Sequence, residues 1–302
     1  MALYTERHGM RKPIERTSTI TIEMYSMLLD CCEKYYYYLS WKFPENCFDG
    51  RGCCGVDENK LNQHLLFDIP SLFRNSDGVI AKPQKNYYGE ADKYDQYALL
   101  DLIEYIAQNC KDVKELDWHA FFKHYHLRTL TTNEIAGTFR DEINEVFYKT
   151  GLLFTLTSDL VVERIIEDGT LTTAVEKIIS AVKEKGLKDL LNEAVSLFKQ
   201  PNPALRNDAV EKLWDAFERL KTYYTTLDKK DSAEKIIKEM SNNQIEFEEL
   251  FRTEFFALTK IGNDYRIRHH ETNKIDIVDI HHYDYFFNRC LALIAMALRN
   301  LQ

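Results

Sequence analysis

Near the C-terminal end, between two strongly helical stretches, lies Gly262-Asn263-Asp264-Tyr265-Arg266-Ile267-Arg268-His269-His270-Glu271. A segment that only joins two helices needs turn formers and solubility, not arginine and histidine packed this densely. Arginine offers phosphate oxygens a rigid fork of donors. Histidine gives and takes a proton near neutral pH. Side by side, the two residue types suit a phosphodiester, and the chemistry they suggest is RNA cleavage without a metal. The plainer alternative is a solvated turn whose arginines pair with acids on neighbouring helices.

The elements that would hold this segment are helical. Gly262 is expected to end a helix over 244–259, and the apolar run from Tyr283 to Leu301 is expected to form the central or interface helix of a bundle. Upstream, helices are expected at 173–185, 187–199, 204–225 and 231–241, with a break at Pro201-Asn202-Pro203. The third of these carries Val210, Leu213, Trp214, Phe217 and Leu220 on one face. Nearer the N-terminus, helices are expected over 20–41, near 58–74, and over 92–110, 116–126 and 133–149, the last closed by Gly151. Between Gly151 and residue 170 the pattern changes. Leu152 to Thr157, a Ser158-Asp159 turn and Leu160 to Ile166 read as a β-hairpin. The fold class is thus mostly α, with a helical region over 1–170 bearing one small β-hairpin near 152–166, and a helical bundle over 171–302.

Other clusters invite chemistry. On the helix of Trp214, Glu218 and Lys221 are three apart and Asp215 and Arg219 four apart, so each pair can meet on the surface. Arg219 and Lys221 could line the same cleft as Arg266, or be ordinary surface ion pairs. His119, His124 and His126 lie among Trp118, Phe121, Phe122 and Tyr125, with Cys110, Cys47, Cys53 and Cys54 elsewhere in the region. Their spacings match no zinc-finger pattern, and His124 and His126 would diverge on a helix. Packed histidines are the better reading, and no metal or cofactor is expected. Tyr35 to Tyr38 point in four directions on a helix and form no stacking platform. Gly50-Arg51-Gly52 precedes no convincing helix N-terminus, and the chain holds no Walker lysine loop or nucleophile elbow.

Composition narrows the class further. In 302 residues, 45% are hydrophobic and 13% aromatic, which befits a globular chain able to bury a sizeable core. A formal net charge of −9 argues against non-specific coating of nucleic acid, though a local basic site stays open. No signal-type leader stands at residues 1–16, and no apolar run reaches the roughly 18 residues of a membrane span. A cytoplasmic protein is expected. Seven cysteines, with adjacent pairs at Cys31-Cys32 and Cys53-Cys54, suit a reducing compartment better than a disulfide framework.

An Arg followed closely by His, ahead of the last helix of a helical bundle, resembles the HEPN superfamily. More specifically, residues 209–302 look like the C-terminal part of AbiJ-type abortive-infection families of bacterial defence loci. Lys212 to Lys221 and Leu258 to Glu271 carry the likeness. Asp101 to Ala107 and His119 to His126 look like the region that precedes that unit in such proteins. The resemblance implies a HEPN-like bundle, homodimerisation through it, an RNA substrate and, in active members, a metal-independent endoribonuclease used in antiphage defence. It assigns Arg266 to the phosphate, His270 to proton transfer with His269 as understudy, and Arg268 and Asn263 to substrate, beside Arg219 and Lys221. Asp264, Glu218 and Glu271 would be supporting acids. Arg266 and His270 stand closer together than in the family pattern, and Ile267 replaces the polar residue that follows the Arg. The resemblance therefore also allows a non-catalytic module that binds RNA, a nucleotide or a partner protein. The activator and the role of residues 1–170 are left open.

Overall fold

A computed structural model describes residues 4–10, 14–166, 169–267 and 274–301. The chain is mostly α and divides into two compact units, Met1–Ile165 and Ile166–Gln302.

The first unit opens with the short α1 (Tyr4–Arg7) and then α2 (Ile22–Lys34), capped by the Thr21 hydroxyl, which accepts from the Met24 amide. After β1 (Pro44–Asn46) and β2 (Cys53–Val56) come α3 (Glu58–Asp68) and α4 (Gln96–Asn109), capped by Asp57 and Asp95. Such caps satisfy amides that have no partner inside the helix. Next are β3 (Val113–His119), β4 (His124–Thr129), α5 (Ile135–Thr150), and the pair β5 (Phe154–Leu156) and β6 (Val162–Arg164). Leu28, Leu29, Leu99, Leu102, Ile103, Phe139, Ile143 and Phe147 are completely or almost completely buried in one cluster with Phe154, Leu156 and Val162. Burial of each large aliphatic or aromatic chain is worth about 1.5–3 kcal/mol.

The hairpin near 152–166 forms as the sequence indicates. Gly151 ends α5 in the left-handed conformation at φ 76°, where the Glu15 carbonyl comes so close that any Cβ would clash. The hairpin is tied to both neighbouring helices. Asn144 of α5 accepts from the Leu156 amide (2.7 Å) and donates to the Leu156 carbonyl (2.9 Å), and Glu104 of α4 accepts from the Val162 amide (2.6 Å).

Two expectations of this unit are corrected. The helix expected over 20–41 stops at Lys34, and Tyr36–Leu39 tighten into a 3₁₀ turn. Tyr35 packs on Phe139 with ring centroids 4.7 Å apart, and Tyr36 is buried, so these tyrosines are packing residues. The helix expected over 116–126 is instead the antiparallel hairpin β3–β4, half of a four-stranded sheet in the order β1-β2-β4-β3. The chain reverses at Lys123 with φ 56°, and β4 takes a second partner in β2, where Cys53 faces Leu127. That pairing partner comes from far away in sequence, which no local pattern announces.

The second unit contains, among its described residues, α6 (Thr173–Ser180), α7 (Lys185–Lys199), α8 (Arg206–Leu220), α9 (Lys229–Ser241), α10 (Ile245–Asp264) and α11 (Ile280–Asn300). Trp214, Phe217, Leu258, Phe287, Leu291 and Ile294 make its core, and Phe198 stacks on Phe287. Gly262 does not end a helix. α10 runs through it to Asp264, and glycine stands there because the Trp214 indole lies against this position, its Nε1 donating to the Leu258 carbonyl at 3.1 Å. No helix among the described residues is long and apolar enough to cross a membrane. All seven cysteines are free thiols.

Candidate functional site

At the end of α10 the backbone leaves the helix, and Tyr265 forms an isolated parallel bridge with Ile275. Ile275 N donates to the Asp264 carbonyl and Arg266 N to the Ile275 carbonyl, both at 2.9 Å, and Lys274 Nζ donates to the Asn263 carbonyl at 2.7 Å. Ile267, next along, is buried in the bundle core. The root of the Arg/His segment is therefore pinned by backbone bonds on one side and apolar packing on the other. Arg266 emerges from that root, half-buried, and its Nη1 lies 2.6 Å from Asp276 Oδ1. Arg268, His269, His270 and Glu271 lie outside the described residues. Asn263 is exposed, and Asp264 pairs with Lys260 one turn back on α10.

Beside this root is a cavity of about 470 Å³ lined by Tyr265, Asp276, His282, Tyr285, Phe286 and Arg289, among others. His282, Tyr285 and Arg289 come from one face of α11 at i, i+3 and i+7, a spacing present in the sequence but outweighed there by the apolar run that begins at Tyr283. Arg289 is held by Glu254 of α10 (Nη2 to Oε2 3.2 Å) and donates to the Tyr285 hydroxyl at 3.3 Å.

Arg219 and Lys221 do not line this cavity. Arg219 forks onto Glu184, Nε to Oε2 at 2.7 Å and Nη2 to Oε1 at 2.8 Å, with its guanidinium over Gly186. The same Glu184 carboxylate caps α7 by accepting from the Gly186 and Leu187 amides. The Arg219 hydrogen bonds, together with those amides, hold the Glu184 carboxyl down at about 2. Lys221 is buried, 2.5 Å from Glu218 Oε1, and donates to the Thr259 hydroxyl at 3.0 Å. Glu218 also accepts from Lys229 at 2.7 Å. Burial alone would raise the Glu218 carboxyl, but the two ammonium groups outweigh it and its pKa is lowered. These residues tie α8 to α7, α9 and α10.

The first unit gathers a different set. At the turn between β1 and β2, Cys47 N donates to Gly52 O and Gly50 N to Cys47 O, which directs the Cys47 side chain toward the β3–β4 hairpin. His119 and His124 face each other across that hairpin, and His126, two residues beyond His124, shares its face. One donor atom from each of Cys47, His119, His124 and His126 lies within 4.8 Å of the others. The sequence-based argument that His124 and His126 diverge rested on a helix, and the strand removes it. Cys53 and Cys54 point to the Gly55 and Glu45 carbonyls and Cys110 to the Ala107 carbonyl, away from this cluster.

Comparison with known families bears on this first unit. The model of AbiJ N-terminal domain 4 matches residues 2–181. The chain belongs to this AbiJ-type abortive-infection family. No curated protein and no solved structure matches it. The AbiJ match takes in the first unit and α6, so the Cys/His cluster falls inside the matched stretch and Arg266 outside it.

Proposed function

We propose that this AbiJ-type protein is a metal-independent endoribonuclease of the HEPN kind, acting in antiphage defence through the pinned Arg/His segment. The observation that carries the reading is Arg266 itself. Its backbone is fixed at the root of the loop, and its guanidinium stands beside a cavity that also offers His282, Tyr285 and Arg289. In the reaction the RNA 2′-hydroxyl attacks the adjacent phosphorus and the 5′-oxygen leaves. Arg266 stabilises the charge that develops on the phosphoryl oxygens, Arg268 positions the phosphate, and His270, with His269 in reserve, moves the proton. Asp276 occupies Arg266 in the free protein. Its side chain is 60% exposed, and such a pair is worth only about 0–1 kcal/mol, so an RNA phosphate can displace it.

The partner in this reading is a second copy of the chain. Phe256 and Val278 of the second unit are exposed apolar residues of the kind a dimer covers, and light scattering checks it. The Arg266–Asp276 pair also favours a second reading, a binding module without catalysis, in which Arg266 exchanges Asp276 for a phosphate and nothing more follows.

The test is cleavage of total RNA and tRNA by the purified full chain with no divalent ion added, beside Arg266→Ala and His270→Ala. Cleavage by wild type alone, leaving 2′,3′-cyclic phosphate ends, supports the nuclease. Cleavage that survives Arg266→Ala refutes the mechanism. RNA bound but left intact, with His270→Ala silent, selects the binding module.

A further inference from the structure

The β3–β4 hairpin is poorly supported by apolar packing. Of the residues in these two strands only His126 and Leu127 are buried, and neither strand contributes to the main core cluster. A hairpin with so little apolar burial is marginal by itself. Where an apolar residue would ordinarily anchor it, this one turns His119, His124 and His126 inward to meet Cys47 from the β1–β2 turn.

We propose that Cys47, His119, His124 and His126 bind a structural zinc ion that staples the β1–β2 turn to the β3–β4 hairpin. Four independent features converge on this. The donor set, one thiol and three imidazoles, offers four ligands of the sulfur and nitrogen types that zinc takes in tetrahedral coordination. Cys47 Sγ lies 3.5 Å from His119 Nδ1, and two ligands of a tetrahedral zinc with usual Zn–S and Zn–N bonds stand about 3.5 Å apart. The Nε2 atoms of His124 and His126 are buried with no hydrogen-bond partner, although His126 as a whole is only 9% exposed. Buried polar nitrogens left without a hydrogen bond are costly, and a metal–nitrogen bond removes the cost. Finally, the Asp49 carboxylate places negative charge beside the same nitrogens, its Oδ2 3.2 Å from His119 Nδ1 and 3.7 Å from His126 Nε2, which favours a cation at their meeting point. Phe122 stacks parallel on the His124 ring and edge-on to His119, covering part of the cluster.

Cys47 and His119 are 72 residues apart in sequence, so the ion closes a long loop and holds two distant segments in register. The Cys47 thiol gives up its proton to solvent on binding. All four protein positions are filled, which leaves no open coordination site and makes the ion structural; the nuclease chemistry proposed for the second unit does not pass through it.

The experiment is metal analysis of the full-length protein purified without chelator, followed by removal of the metal and refilling with Co²⁺. The expected result is about one zinc per chain, a thiolate-to-cobalt charge-transfer band with tetrahedral visible bands on refilling, and a melting temperature lower by about 5 °C or more in the stripped protein. Cys47→Ser and His126→Ala should lose the ion, while Cys53→Ser and Cys54→Ser keep it. If the first two variants do not fold, the cobalt spectrum of refilled wild type decides alone. No thiolate band, or zinc retained in Cys47→Ser, overturns the proposal.

Discussion

Trp214 of α8 and Gly262 of α10 touch edge to backbone, so that a Cβ at position 262 would lie 2.5 Å from Trp214 Cδ1. Neither side can yield, because the indole is wholly buried and its Nε1 is committed to the Leu258 carbonyl. Gly262→Ala would gain helix propensity in an exposed helix, but here it overpacks the contact. The variant should be destabilised by about 1–3 kcal/mol, measured by urea unfolding. A stabilised variant would show that the two helices are free to separate.

The Glu184–Arg219 clamp predicts an acid dependence. The Glu184 carboxyl is lowered from 4.5 to about 2 in the folded protein. A group with a depressed folded pKa stabilises above its unfolded value, and that contribution is lost as pH falls through the folded value. Wild type should therefore lose its advantage over Arg219→Ala as pH falls from about 5 toward 2. Thermal melts at stepped pH measure the convergence. Because Arg219 is half-exposed, the difference at neutral pH should be small.

Asp276→Asn should free Arg266 for phosphate. If Asp276 competes with RNA, affinity rises by up to about fivefold, since an exposed ion pair is worth at most about 1 kcal/mol. A gel shift at low salt reads this. If binding instead falls, Asp276 positions Arg266 rather than competing for it.

Asn144 is the pin that joins α5 to the β5–β6 hairpin through both polar groups of Leu156. Asn144→Ala leaves a buried strand edge without its donor and acceptor. The expected cost is about 1–3 kcal/mol, and amide exchange at Leu156 should accelerate.

The helices were legible because their signals are local. Apolar spacing and Gly151 at a C-terminus each act within a turn or two of chain. The β5–β6 hairpin was legible for the same reason, as two runs rich in β-branched and aromatic residues around a short turn. Two places in the chain went the other way. Gly262 has one identity and two ordinary meanings, a helix stop or a close approach, and only Trp214, 48 positions upstream, selects between them. Residues 113–129 mix His, Trp, Phe and Tyr without a clean period, so the pairing of β3 with β4, and of β4 with β2, rather than local pattern makes them strands.

By itself, then, the sequence determined the mostly α character of the chain, the small hairpin and the chemical types concentrated after Gly262, because propensity, capping and composition are properties of neighbouring residues. Tertiary structure alone decided which distant groups meet. It set Arg219 on Glu184 and Arg266 on Asp276, and it turned three histidines onto one face beside Cys47. The physical reason is periodicity. On a helix His124 and His126 would diverge by about 200°, whereas on a strand the two-residue repeat aligns them, and the cross-strand pairing of the sheet makes that segment a strand.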